Sequence, residues 1–141
     1  MATKIAIEIA TGDYIKDNDK AVKVIGYSVE DANENKYTLD YIQPNIIIRD
    51  KILECCGFVK NNDKYEFQYS NGNSSYKILV SKSQLSYRCD IYSSANLQPV
   101  TTKDNITVLS VLQDFIRQST QGGELKVDLQ RLSKEVAKKN Y

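Results

Sequence analysis

Histidine is absent from this chain of 141 residues, and only three cysteines are present. Histidine is the usual general base near neutral pH and the commonest metal ligand. Its absence excludes a Ser-His-Asp triad, a Cys-His dyad and every zinc site that includes a histidine. Cys55, Cys56 and Cys89 lack a fourth zinc ligand, and we predict that Cys56 and Cys89 are small buried apolar residues. We expect no catalytic residues, no metal site, no cofactor and no enzymatic activity.

Long apolar runs and the pattern of a signal peptide are also missing. No apolar run approaches the roughly 18 residues that span a bilayer. An odd number of cysteines argues against a secreted disulfide framework. With 19 basic and 18 acidic residues, the net charge of +1 indicates no general attraction to nucleic acid or anionic lipid. The sequence therefore predicts a cytoplasmic protein without a membrane partner.

An acidic segment near the start of the chain has some features of a calcium loop, with Asp13, Asp17 and Asp19 at alternating or nearby positions. The EF-hand pattern fails in detail. Counted from Asp17, Val22 occupies the glycine position and Ser28 the position of the bidentate glutamate. The pattern favours a solvated acidic loop.

Three strands and a short helix are predicted in the first part of the chain. Residues 5–9 alternate apolar and polar side chains, which is typical of a strand. Residues 21–29 are apolar at nearly every position, which indicates a strand covered on both faces. Residues 37–41 alternate again. Residues 49–56 predict a helix with a poor start, and Gly57 predicts a Schellman stop.

A three-stranded antiparallel meander is the clearest pattern in the sequence. The dipeptide Asn71-Gly72 favours the first turn. The inward-facing side chains are predicted to be Tyr65, Phe67, Tyr69, Tyr76, Ile78, Val80, Leu85, Tyr87, Cys89 and Ile91. The polar residues between them, including Arg88 and Asp90, are predicted to face solvent.

Two further helices are predicted after the meander. The first begins near Asn105, with Asp104 as its N-cap, and ends at Gly122-Gly123. Its apolar stripe is Val108, Leu109, Leu112, Phe115 and Ile116, with Gln113 on the opposite face. The second helix carries Leu125, Leu129, Leu132 and Val136 at i, i+4, i+7 and i+11.

In the order βββαβββαα, these elements predict an α+β fold. An antiparallel, Tyr-rich sheet of about six strands is expected to carry helices packed on one face. We predict a single α+β domain over residues 1–123 and a C-terminal helix over residues 124–141. Because this helix follows two glycines and has a narrow apolar stripe, we expect it to dock on a partner. Its deletion is then expected to leave a folded domain.

Ten tyrosines are present, and six of them fall on predicted strands. Tyrosine suits core packing, a protein or oligomer interface, and stacking on single-stranded nucleic acid, and all three interpretations stay open. The third would be helped by Lys64, Lys77, Lys82 and Arg88. The candidate interface residues are Tyr65, Tyr69, Tyr76, Tyr87, Leu125, Leu129, Leu132 and Val136.

Two stretches carry a resemblance to known proteins. Ile48-Arg-Asp-Lys-Ile-Leu-Glu-Cys-Cys-Gly-Phe58 resembles the ILxxCGF helix stop of short uncharacterised proteins of Bacteroidetes and their phages. Leu109-Ser-Val-Leu-Gln-Asp-Phe115, followed by Thr120-Gln-Gly-Gly-Glu-Leu125, resembles the HxLQNLYFxLTGxEL element of the same proteins. Ser110 stands at the histidine position and Arg49 at a common capping threonine. The resemblance implies a phage or mobile-element origin and assigns no functional residue.

We interpret the chain as a non-catalytic phage or mobile-element accessory protein that acts by protein–protein contact, as a multicopy virion or assembly component. The alternative is a small nucleic-acid-associated or host-takeover (inhibitor) protein. The expected partner is another protein or further copies of this chain, whereas nucleic acid is not favoured. The expected location is the cytoplasm of the host cell, with incorporation into a virion as a further option.

Overall fold

A computed structural model of the protein describes residues 4–5, 10–26, 28–39, 41–42, 46–72, 74–93 and 97–138. The strands in these ranges are β1 (Lys4–Ile5), β2 (Tyr14–Asp17), β3 (Lys20–Ile25), β4 (Ser28–Glu30), β5 (Lys36–Tyr37), β6 (Tyr41–Ile42), β7 (Val59–Asn61), β8 (Lys64–Asn71), β9 (Ser74–Ser83), β10 (Ser86–Ser93) and β11 (Thr101–Ile106). The helices are α1 (Asp50–Cys55), α2 (Leu109–Ser119) and α3 (Leu129–Ala137). Two antiparallel sheets and three helices confirm the α+β class, although the described strands outnumber the six expected.

Strands β2, β3, β4 and β5 form a four-stranded antiparallel sheet in chain order, which we call the N-terminal sheet. The apolar run at residues 21–29, predicted as one strand, is divided between β3 and β4 by a turn at Gly26. Gly26 has a φ of +67°, which glycine adopts at little cost. Burial on both faces is right for β3, because Ala21 belongs to one buried cluster while Val22 and Val24 belong to another.

The two other strands predicted in this part of the chain are only partly described. Of residues 5–9, Ile5 alone lies in the described ranges, in β1, which pairs in parallel with β6. Residues 37–41 fall on two strands instead of one. Tyr37 ends β5, which pairs with β4, and Tyr41 begins β6.

The second antiparallel sheet has five strands in the order β11-β10-β9-β8-β7. Its centre is the predicted meander, with Ile78 of β9 paired to Phe67 of β8 and to Ile91 of β10. Gly72 has a φ of +60° in the turn after β8, as the Asn-Gly signal indicates. Leu85, predicted to face inward, lies instead in the β9–β10 turn and is 96% exposed.

The segment before α2 differs from the prediction. Residues 101–106 form β11, which pairs with β10, and the helix begins at Leu109 instead of near Asn105. Val108 is the N-cap residue and makes no side-chain cap bond, so Asp104 does not cap the helix. Strand β11 is a polar strand at the edge of its sheet. Of its residues only Ile106 is buried, so its sequence carries no apolar alternation.

Helix α1 ends as the sequence predicts. Gly57 has a φ of +95°, and its N–H donates to the carbonyl of Glu54 at 3.3 Å. The N–H of Phe58 donates to the carbonyl of Leu53 at 3.2 Å. These two bonds are those of a Schellman motif. The start is uncapped, since the side chain of Arg49 at the N-cap makes no cap bond.

The main core lies between the helices and one face of the five-stranded sheet. The predicted stripe of α2 is confirmed by Leu109, Leu112 and Ile116, which are completely buried. The sheet contributes Tyr65, Phe67, Ile78, Val80, Tyr87, Cys89, Ile91 and Ile106. The helices therefore pack on one face of this sheet, as predicted.

Helix α3 belongs to the same core. Leu132 and Val136 are buried in it, and Leu125 and Leu129 pack against it. The Oγ of Ser133 accepts a hydrogen bond from the N–H of β3 residue 21 at 3.0 Å and donates to its carbonyl at 3.2 Å. The helix is thus bonded to β3 of its own chain, and the core crosses the boundary that the sequence placed after residue 123.

Candidate functional site

The outer face of the five-stranded sheet is the surface opposite the main core. Side chains alternate between the two faces along a strand, so this surface is formed by the residues that stand between the core residues. They are Glu66, Gln68, Lys77, Leu79, Arg88, Asp90 and Tyr92. Lys77 pairs with both Gln68 and Tyr92, and Leu79 pairs with both Glu66 and Asp90, so the set forms adjoining rows across three strands.

A shallow groove of about 480 Å³ lies at one end of the outer face. It is lined by Gln68, Ser75, Tyr76, Lys77, Leu79, Tyr92, Ser93 and Leu97. The Leu97 side chain is 96% exposed, and the Lys77 ammonium lies 5.3 Å from the centre of the Tyr92 ring, within cation–π range. An exposed leucine beside a half-buried tyrosine favours contact with a protein surface over binding of a small polar substrate.

A second groove, of about 490 Å³, adjoins the first and shares Gln68 with it. The other lining residues are Gly57, Val59, Lys60, Asn61, Glu66, Phe67 and Lys126. Val59 is 69% exposed and lies on β7, at the edge of the sheet. The two grooves therefore adjoin at Gln68, and the second continues around the β7 edge of the sheet to Gly57 and Phe67, with an exposed apolar side chain in each groove.

Charged residues on the outer face are partly paired with one another. The Arg88 guanidinium lies 3.2 Å from an Asp90 oxygen and 3.7 Å from an Asp104 oxygen. The Thr102 hydroxyl donates to the same Asp90 oxygen at 2.6 Å. Asp90 is on the predicted face but is buried, because Arg88 and Thr102 cover it. These contacts leave the Arg88 side chain less available to a phosphate.

The four tyrosines predicted as interface residues divide into two pairs. Tyr65 and Tyr87 are buried in the main core, so the interface prediction is wrong for them. The Tyr87 hydroxyl donates to an Asp50 oxygen at 2.7 Å, and burial followed by this bond raises the pKa of Tyr87. Tyr69 and Tyr76 are cross-strand partners, half-buried against the core, and Tyr76 also lines the first groove.

The four C-terminal candidates lie on or against the main core of their own chain. Leu132 and Val136 are buried there and cannot present an interface to a partner. Leu125 and Leu129 are partly buried against the same cluster. A stripe of four apolar residues is enough for a helix that lies against β3 and α1, which is why the narrow stripe does not indicate a partner.

A cluster of charged side chains joins the loop before β2 to α2. Asp13 is fully buried, which corrects the prediction of a solvated loop at this residue. The Arg117 guanidinium contacts oxygens of Asp13 at 2.7 Å, of Asp114 at 2.6 Å and of Glu124 at 2.6 Å. Burial raises the pKa of Asp13 to about 7, although the N–H of Ala10 and the guanidinium act to lower it. Burial also raises the pKa of Asp114. We call Asp13, Asp114, Arg117 and Glu124 the junction cluster.

Gln113 bonds to the same loop. Its amide oxygen accepts from the N–H of Tyr14 at 2.9 Å, and its amide nitrogen donates to the carbonyl of Gly12 at 3.2 Å. The side chain is buried, whereas the sequence places it on an exposed face. The N-terminal sheet covers this side of α2. The apolar periodicity of the helix does not indicate that this side is covered.

The three cysteines are free and buried, which was predicted for Cys56 and Cys89 and not for Cys55. Burial raises the pKa of all three thiols, that of Cys89 to about 12, which keeps them protonated and unreactive. Within the described ranges, no group of three or more Cys, Asp or Glu side chains is placed to hold a metal ion.

Comparisons of the chain with protein-family models, curated proteins and solved structures found no match. None of the helices in the part of the chain that the structure describes is long and apolar enough to cross a membrane. The outer face and the junction cluster are therefore assigned from geometry alone.

Proposed function

We propose that this protein is a non-catalytic accessory protein of a phage or mobile element, and that it binds another protein through the outer face. The observation that carries the proposal is the placement of Leu97 and Val59, each strongly exposed at one of two adjoining grooves. Removal of exposed apolar surface from water is the main favourable contribution to most protein association. A multicopy assembly, in which the partner is a second copy, is the specific form that we favour.

The charges around the grooves support a protein partner over a nucleic acid. Lys77 lines the first groove, and Lys60 and Lys126 line the second groove together with Glu66. Arg88 is engaged with two carboxylates. Binding to nucleic acid draws its affinity from many cations that contact phosphates, and this surface offers few of them.

Two leucines of equal exposure provide a matched test. Leu97 lines the first groove, and Leu85 lies in the β9–β10 turn, yet both are 96% exposed. We expect Leu97→Asp to weaken self-association or partner capture at least about tenfold, which corresponds to about 1.4 kcal/mol. Leu85→Asp should leave association unchanged. The measurements are sedimentation velocity across a concentration series and affinity capture from cells that carry the element.

Three outcomes would contradict the proposal. One is equal loss of association in both variants, and another is no loss in either. The third is tight binding to a single-stranded oligonucleotide that weakens steeply with salt, by about 10³-fold or more between 50 and 200 mM. That last result would favour the nucleic-acid alternative.

A further inference from the structure

The junction cluster joins parts of the chain that are far apart in sequence. Asp13 lies in the loop that leads into β2, Asp114 and Arg117 lie on α2, and Glu124 follows that helix. The Arg117 guanidinium contacts all three carboxyl groups at 2.6 to 2.7 Å. The cluster therefore contains three acidic groups around one cation, with Asp13 completely buried.

Two of these acidic groups contact the same nitrogen of the guanidinium. Nη1 of Arg117 lies 2.7 Å from Oδ1 of Asp13 and 2.6 Å from Oδ1 of Asp114, which holds the two carboxyl groups close together. Like charges this close disfavour the ionisation of both groups, and a proton on one of them removes the repulsion. When that proton is lost, three negative charges face one positive charge, and Asp13 is completely buried.

We propose that the junction cluster is a proton-sensitive latch, which holds the N-terminal sheet against α2 while Asp13 and Asp114 share one proton and weakens when that proton leaves. A buried carboxylate without full compensation is costly, and Asp13 has no solvent exposure with which to reduce that cost. The latch is independent of the outer face and of the function proposed for it.

Among the described residues, the titratable side chains that face the latch from the N-terminal sheet are Tyr14, Lys23 and Glu30. Across the N-terminal sheet, Tyr14 pairs with Lys23, and Lys23 pairs with Glu30. Burial raises the pKa of Tyr14, so its phenol stays neutral. The whole chain lacks histidine, so no imidazole obscures the titration.

The direction of the pH effect follows from proton binding. The pKa of Asp13 is about 7 in the folded protein and about 4 in an unfolded chain. Between these values the folded state binds more protons, so the free energy of unfolding falls as pH rises. The contribution of the latch is complete below about pH 4 and is lost as pH rises through about 7.

The direct test is a titration of the side-chain carboxyl carbons by NMR on the full chain. We expect one aspartate to titrate near pH 7 and its signal to disappear in Asp13→Asn. A wild-type protein in which no carboxyl titrates above about pH 5.5 would overturn the proposal, and this measurement does not depend on the folding of any variant.

The second test is the melting temperature at pH 5.5 and pH 8. We expect the wild-type value to fall by at least about 5 °C at the higher pH. Asp13→Asn should remove most of this fall, because an amide does not titrate. Asp19→Asn is the matched control, since Asp19 is an exposed aspartate near the same loop, and it should keep the fall. The same fall in all three proteins would refute the latch.

Discussion

Gly123 shows how one residue fixes the chain path after α2. The Thr120 hydroxyl donates to the carbonyl of Ile116 at 2.6 Å and accepts from the N–H of Gly123 at 3.0 Å. A Cβ atom on Gly123 would overlap that hydroxyl and would approach a ring carbon of Tyr69 to 3.2 Å. Glycine is required here because of space, since its φ is not in the left-handed region.

We therefore expect Gly123→Ala to lower the free energy of unfolding by about 1–3 kcal/mol, as overpacking usually does. In a Thr120→Ala background the overlap with the hydroxyl is gone, so the same substitution should cost less. Urea unfolding of the two single variants and the double variant measures this coupling. Strictly additive costs would show that the contact with Thr120 is unimportant.

Gln113 is the residue where helical periodicity misleads most. Gln113→Ala removes both bonds to the loop before β2 and leaves buried backbone groups unpaired, so we expect a loss of about 1–3 kcal/mol. Gln118→Ala, at an exposed position on the same helix, should cost less than about 0.5 kcal/mol. Chemical denaturation compares the two. Equal small costs would mean that the loop is held without Gln113.

At the scale of elements, α3 is integral to the fold. We expect Leu132→Ala to lower the free energy of unfolding by about 2–5 kcal/mol, because the side chain is completely buried, whereas Leu85→Ala should change it little.

Deletion of residues 124–141 should abolish cooperative unfolding, contrary to the expectation from sequence. Thermal melts followed by circular dichroism test both. If the truncated chain still melts cooperatively, α3 is a separate helix that the rest of the fold does not need.

The elements that the sequence predicts best are those defined by local contacts. The stop of α1 at Gly57 and the meander turn at Gly72 each depend on neighbours within a few residues. Strand β11 was missed because it lies at the edge of its sheet with only Ile106 buried, which leaves no apolar alternation to recognise. The division of residues 21–29 was missed because both clusters beside β3 require apolar residues, and this hides the turn.

The candidate site was only partly predictable for a related reason. Alternation identifies Tyr65 and Tyr87 as sharing one face of the meander, but it cannot say whether helices or a partner cover that face. The grooves at Leu97 and Val59 lie on the other face, where no sequence pattern singles these residues out. Asp13 was assigned to solvent because nothing in the loop sequence indicates Arg117, more than 100 positions later.

At the scale of the whole molecule, two contacts that hold the N-terminal sheet against the helices join residues that are far apart in the sequence. The bond between Gly12 and Gln113 joins residues 101 positions apart, and the bonds between Ala21 and Ser133 join residues 112 positions apart. Because the contacting residues are far apart in sequence, we expect these contacts to slow folding.

Because the chain is synthesised from its N-terminus, residues that are far apart in sequence are also synthesised at different times. Ribosomes add roughly 5–20 residues per second, so the N-terminal sheet precedes its helical partners by on the order of 5–20 s. During that interval Ala21 and Tyr14 have no helix to cover them. The first sheet to be synthesised thus waits for the helices that cover it, and we expect a nascent chain of this protein to be most exposed to aggregation and proteolysis before α3 has left the ribosome.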